Sequence, residues 1–389
     1  SWRNWKRGGK RLSMESLDIR RVSNRRELRL FATFPWKIYR DDPLWVPPLL
    51  PDRMKALNPD SGPFFKHGTA ECYIAWRAGR PVGTICTAID HKANQAVNKK
   101  ECVFGFYESI EDEEVGRSLL DHASLWAKQH GLNSLYGPFN LDYEDAYGVL
   151  VGGRERQPAI MCGHTADYYQ GYIENYGFKP ARGQNLAFAR DLTSGLNDLE
   201  EIIQYADRVR ERKQFTIRSA DMTHWKDEVN LVYELINPCL KHLPGFEPWQ
   251  PEALQELMAP FVELADPELI LFAEDHGKTV GFFPAIPNMN EILAHLNGLR
   301  YPWDYLKAAW YSRQKVKSVS IKSVLVLPEY WGTGIAILLF AEMAKRLIAA
   351  GYEWVDLSIT SDDNPRTPAL AERIGAQVYK RYQVYRLSL

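Results

Sequence analysis

The run Val324-Leu-Val-Leu327-Pro328-Glu329-Tyr330-Trp331-Gly332-Thr333-Gly334-Ile335-Ala336 decides how this chain is read. Its first four residues are aliphatic and partly β-branched, which predicts a strand ending at Pro328. Gly332 and Gly334 then open an apolar stretch with helical spacing. Glycines at such a junction let consecutive backbone N–H groups converge, and the helix N-terminus adds partial positive charge. The product is a cradle for a phosphate or pyrophosphate that needs no lysine. The plainer alternative is a turn that uses two glycines for close packing. A Walker A loop is excluded: Gly277-Lys278-Thr279 has its ending, but Phe272 stands where the upstream glycine is required. A dinucleotide fingerprint is excluded because no first strand of a βαβ unit precedes the glycines.

Outward from this loop the chain repeats itself. Ala75-Trp-Arg-Ala-Gly79-Arg80-Pro-Val82-Gly83 matches Ala273-Glu-Asp-His-Gly277-Lys278-Thr-Val280-Gly281 at an offset of 198, with five of nine positions identical or conservatively basic. The same offset relates Ile19-Arg20 to Ile217-Arg218 and Gly177-Phe178 to Gly375-Ala376. Gly131 pairs with Gly351 at an offset of 220, so the second half carries about 22 extra residues, in Asn288–Arg313. The first half has a matching excess around Asn140–Thr165. The chain therefore divides into an extension over residues 1–16 (disordered or appended, with Met14 an alternative start), two copies of one fold over 17–192 and 214–389, and a helical linker over 193–213.

Each copy predicts the same order of elements. A short strand (Leu17–Val22; Phe215–Ser219) precedes helices (Arg25–Tyr39; His224–Leu240). A hairpin turns at Ala78-Gly79 or His276-Gly277, where a tight turn requires positive φ. A long strand follows (Glu101–Tyr107; Ser318–Leu327), then an amphipathic helix stopped by Gly131 or Gly351. A strand, a helix and a final strand close the copy. The order is mixed α/β, with antiparallel strands first and a β-α-β crossover after them.

Composition narrows the function classes. The 389 residues hold 48 Lys+Arg against 49 Asp+Glu, a net charge of −1, which offers no bulk attraction to nucleic acid. No apolar run approaches the roughly 18–20 residues of a membrane span. Five scattered cysteines point to reduced thiols and a cytoplasmic location. Cys162-x-His164 near Asp167 is too sparse for a metal site. The 12 Trp, 20 Tyr and 16 Phe either fill two large cores or line a groove. Trp45–Phe65 and Asn288–Arg313, with Tyr301, Trp303 and Trp310, are where a pocket wall is expected.

The strand, Pro-Glu-Tyr, Thr333-Gly334-Ile335-Ala336 and the apolar helix together resemble motif A of the GNAT superfamily of acyl-CoA-dependent N-acyltransferases. The likeness is specific over about Ser318–Tyr385, and the run Tyr39–Pro48 resembles bacterial proteins of a tandem type. It implies two tandem GNAT-like domains. Acetyl-CoA or another acyl-CoA serves as co-substrate without a metal, and a small-molecule or peptide amine is the acceptor. In the resemblance, the acyl-CoA is held by Leu325, Val326, Leu327, Trp331, Gly332, Thr333, Gly334, Ile335 and Ala336, and by Asn364 at the start of the next helix. Trp331 departs from the family's Gln or Arg. Acidic candidates for the base are Glu329, Asp356, Asp362 and Asp363. The family's thiolate-protonating Tyr falls on Ala371, which leaves Tyr379, Tyr382 or Tyr385 as substitutes. Shifted by 220, the cradle lands on Glu111-Asp112-Glu113-Glu114-Val115-Gly116, whose carboxylates repel a pyrophosphate. The first copy is therefore expected to be degenerate. A ligand-binding protein without turnover is the alternative reading.

Overall fold

The computed structural model describes residues 16–141, 148–241, 248–262, 265–322, 324–363 and 366–389. In chain order the strands are β1 (Asp18–Arg21), β2 (Gly68–Arg77), β3 (Arg80–Asp90), β4 (Glu101–Ser109), β5 (Ser134–Gly137), β6 (Val149–Gly152), β7 (Lys179–Pro180) and β8 (Asn185–Asp191). They continue with β9 (Thr216–Ser219), β10 (Ile270–Asp275), β11 (Lys278–Pro287), β12 (Ser318–Ile321), β13 (Leu325–Val326), β14 (Trp354–Ser361), β15 (Gln377–Gln383) and β16 (Tyr385–Ser388).

Two compact units result, and neither is a continuous half of the chain. One comprises the chain up to Asn185 with Ile292–Arg313 and Lys380–Leu389; the other comprises Leu186–Glu291 and Gln314–Tyr379. This differs from the expected single division at 193–213, because hydrogen bonding claims the closing strands. In the first unit the sheet runs β1-β2-β3-β4-β5-β16-β7, with the C-terminal strand β16 antiparallel to both β5 and β7. In the second it runs β15-β8-β14-β12-β11-β10-β9, with β13 paired to β11. The expected linker helix forms over Leu196–Lys213.

Within each unit the repeat is exact to the level of backbone defects. Both hairpins turn on two residues with positive φ, Ala78-Gly79 (52° and 69°) and His276-Gly277 (47° and 81°). Both carry a bulge at the same repeat position, after Ala75 and after Ala273. A Cβ added to Gly83 would lie 2.8 Å from Leu119 and 3.0 Å from Val115; one added to Gly281 would lie 3.0 Å from Leu339 and 3.3 Å from Ile335. Leu119/Leu339 and Val115/Ile335 are themselves related by 220, so the crossover helix sits on the hairpin glycine identically in both units. These helices, Glu113–Gln129 and Ile335–Ala349, end in the same closure, Leu132 N–H to Ala127 O and Tyr352 N–H to Leu347 O, both 3.0 Å. Each fully buried leucine on their inner faces contributes about 2 kcal/mol relative to exposure.

The copies diverge in two places that bear on function. The second copy's long strand is interrupted: β12 pairs with β11 and β14, whereas β13 pairs with β11 alone. The first copy's expected helix over Arg25–Tyr39 is two helices, Arg25–Thr33 and Pro35–Ile38, because Pro35 cannot donate into a continuous ladder. Among the aromatics, Phe64 is core, while Trp303 and Trp310 are 56% and 60% exposed.

Candidate active site

The second unit builds the glycine loop with few side chains. Leu327 N–H pairs back to Val280 O at 3.0 Å, and Pro328–Tyr330 makes one 3₁₀ turn. Thr333 closes the turn, its N–H and Oγ1 both donating to Tyr330 O at 3.2 and 2.6 Å. The helix then begins at Ile335 behind Gly334, with no side-chain cap on its first N–H groups. The two glycines have different reasons. Gly332 (φ 77°) would put a Cβ into open space, so its absence leaves the cradle accessible. Gly334 (φ 99°) would put a Cβ 2.8 Å from Val209 of the helix Leu196–Lys213, so it also serves close packing.

Leu325, Leu327 and Ile335 are core residues, so only their backbone faces a ligand. Trp331 is not an anion contact: its indole N–H donates to Val326 O at 2.8 Å and staples the loop to β13. Asn364 lies outside the described residues. Beside the helix start a cavity of about 620 Å³ is walled by Ile202, Tyr205 and Ile337, with the acids Asp198, Glu201 and Glu372 alongside the bases Arg208 and Arg373. Its volume suits a cofactor-sized ligand.

On the sheet face opposite the helix is a polar cluster at the fork between strands. β12 and β14 are parallel only over Ser318–Ser320 and Trp354–Asp356. Val319 and Val355 point into the core, which turns Ser320 and Asp356 to the other face. Asp356 is fully buried and accepts from Ser320 Oγ and from Tyr379 OH (2.9 Å), with Lys322 Nζ 3.5 Å away. Lys322 also reaches Ser358 Oγ at 3.4 Å, and Ser358 takes a φ of 65° where β14 bends from its neighbour. A buried carboxylate is tolerable only with such partners.

The structure thus joins Tyr379 to Asp356 and separates the other acids. Glu329 is exposed and pairs with Lys278 at 3.4 Å; its own backbone N–H and that lysine hold its carboxyl below the usual range. Asp363 exchanges hydrogen bonds with Ser361 in an exposed turn. Ala371, at the expected tyrosine position, is core. Lys322 and Ser320 were not foreseen, although the alternation Ser318-Val-Ser-Ile321 and an Asp between Val355 and Leu357 signal a polar strand face.

Residues 229–376, which contain the loop, the fork and the cavity's far wall, match the model of the acetyltransferase (GNAT) family. The second unit thus carries a GNAT-family match. It is 29% identical over 380 residues to the "Bacterial ceramide synthase" of Caulobacter vibrioides, covering 96% of this chain and 98% of that one. It is 29% identical over 374 residues to "Protein YghO" of Escherichia coli K12, 94% of each. Its fold resembles a tandem GNAT protein from the clavulanic acid biosynthesis pathway, with TM-score 0.57 and 12% identity over 96% of this chain and 98% of that one. No helix among the described residues is long and apolar enough to cross a membrane, and none of their His, Cys, Asp and Glu form a group of three able to hold a metal.

The first GNAT-like unit has its cradle plugged. Asp112 caps the helix Glu113–Gln129, and Arg77, 3% exposed, donates to both Asp112 and Glu114 at 2.6 Å. These two acids stand where Gly332 and Gly334 stand in the second unit, so carboxylates occupy the anion position. At its own fork Glu108 accepts from Tyr39 OH (2.9 Å) and Tyr169 OH (2.8 Å). His164, expected near Asp167, instead places Nε2 2.7 Å from Asp42 Oδ2 beside a cavity of about 280 Å³. Burial lowers the pKa of this imidazole.

Burial raises the Glu108 pKa from 4.5 to about 7, against the pull of the two tyrosine hydroxyls. An acid whose pKa is raised by folding binds its proton more tightly when folded, so stability is lost as pH rises from about 4.5 to 7 and is flat above. The loss is at most about 3 kcal/mol, reduced by partial solvent access. Glu108→Gln keeps an acceptor for the tyrosines and is expected to flatten the change in melting temperature between pH 5 and 7.5; an unchanged pH dependence would assign it elsewhere.

Proposed function

We propose that this chain is an acyl-CoA-dependent N-acyltransferase whose second unit holds the thioester and whose acceptor is a long-chain amino alcohol. The observation carrying the first part is the uncapped helix N-terminus behind Gly332, open in the second unit and plugged by Asp112 and Glu114 in the first. In this reading the backbone N–H groups of Gly332 and of Gly334–Ala336 hold the pyrophosphate, and the neighbouring cavity takes more of the cofactor. Leu325, Val326 and Leu327 line the thioester arm, and the family resemblance adds Asn364 to the residues that contact it.

The amine nitrogen attacks the thioester carbon; the C–N bond forms, the C–S bond breaks, and one proton passes overall from nitrogen to sulfur. Tyr379 is the hydroxyl placed to carry that proton, since it is half-buried and held by Asp356 at 2.9 Å. Asp356 orients it, and Lys322 balances the buried charge. Glu329 and Asp363, engaged elsewhere, are not used.

The acceptor class rests on the Caulobacter relative: ceramide is the amide of a fatty acid and a long-chain amino alcohol, the bond this chemistry makes. The test is calorimetric titration with acetyl-CoA and palmitoyl-CoA, followed by thiol release on adding sphinganine. Binding of an acyl-CoA and amine-dependent release are expected. Absence of heat and of thermal stabilisation at high micromolar ligand would remove the reading. Binding without release for any amine would leave a GNAT-like binding protein, the reading that Trp331 and Ala371 favour.

A further inference from the structure

The helix Pro302–Tyr311 is built inside out. Its acidic residue faces inward: Asp304 is fully buried and accepts from Tyr301 N–H at 3.1 Å and Asn297 Nδ2 at 3.3 Å. Its large apolar residues face outward, with Trp303 56%, Leu306 75% and Trp310 60% exposed. Spacings of three and four place these three on one side of the helix. Tyr301 (39%) and Tyr305 (53%) flank them, and Tyr301 stacks on Trp303 at 4.7 Å. Single exposed apolar residues need no explanation, but a contiguous set on one helix face marks a binding surface.

The charge around the face selects its partner. Between His295 and Arg313 the charged residues are Arg300, Asp304, Lys307 and Arg313, and the one acid is internal. Arg313 is exposed, and Lys307, half exposed, keeps Nζ 3.6 Å from Asp304 Oδ1, so no acid is offered with the aromatics and the outward charge beside them is basic. Aromatic and aliphatic side chains with flanking Lys and Arg suit the headgroup boundary of an anionic bilayer.

We infer that this helix docks on an anionic membrane surface, with Trp303, Leu306 and Trp310 entering the boundary and Arg313 meeting lipid phosphates beside the Lys307–Asp304 pair. The inference rests on exposure and charge alone and stands apart from the acyltransferase reading. A long-chain acceptor would be met at that same surface.

The test uses the full chain without acyl-CoA, sedimented with phosphatidylcholine vesicles with or without phosphatidylglycerol. Binding to the anionic vesicles with a blue shift of tryptophan emission is expected. The variant Trp303→Ser/Leu306→Ser/Trp310→Ser alters only exposed side chains and should keep the melting temperature while losing at least about tenfold in vesicle partition. Arg313→Glu, which leaves the Lys307–Asp304 pair in place, should lose much of the preference for anionic vesicles. No vesicle binding, equal binding by the triple variant, or a concentration-dependent dimer that the triple variant abolishes in place of vesicle binding would each overturn the inference, the last by giving the face to a second copy.

Discussion

Gly332→Glu is expected to weaken acyl-CoA binding by on the order of 100-fold or more while the fold survives. Unit charges about 4 Å apart near a protein surface interact by about 4 kcal/mol, and the new carboxylate would stand where the pyrophosphate's charge is proposed to lie. The position tolerates the side chain, because nothing lies within 4 Å of a Cβ there. The cost is that of a left-handed residue, about 1 kcal/mol. Gly334→Glu is a poorer probe: its Cβ would meet Val209 at 2.8 Å, so lost binding and lost packing would arrive together. The first unit already carries acids at both positions and neutralises them with Arg77. Calorimetry on Gly332→Glu with its melting temperature measured in parallel decides the matter. Affinity within about threefold of the parent would place the cofactor elsewhere.

The second large effect is at the fork. Asp356→Ala leaves Lys322 and two hydroxyls around an empty space, and should cost about 3 kcal/mol of stability. It should also lower kcat by about 10²–10⁴-fold with KM for the acyl-CoA little changed, since the cluster lies apart from the glycine loop. The double variant Asp356→Leu/Lys322→Met separates the two roles: removing both charges should restore most of the stability and none of the turnover. Tyr379→Phe should reduce turnover alone. Recovery of activity in the double variant would make the cluster a packing device.

Local physics made much of this legible in sequence. The hairpins follow from dipeptides that accept positive φ, and the glycine-stopped helices from Gly131 and Gly351. The cradle follows from two glycines behind a strand. What was not legible depends on pairings between distant segments. Ser320, Lys322, Asp356 and Tyr379 come from three separate stretches, and only the register Ser320↔Asp356 brings them together. Trp331 reads as a substitution for a polar side chain, yet its indole N–H finds a carbonyl five residues back. The expected single strand Ser318–Leu327 is instead β12 and β13, which part around the polar Lys322. The exposure of Trp303 and Trp310 was equally hidden, because their helical spacing is that of a core-facing helix turned over.

The placement of β16 between β5 and β7 fixes an order of events during synthesis. The gap between β5 and β7 is filled by Tyr385–Ser388, which lies about 200 residues further along the chain. The sheet begun first therefore waits for a strand encoded about 200 residues later. At about 5–20 residues per second the facing edges of β5 and β7 stay unpaired and open to other chains for roughly 10–40 s.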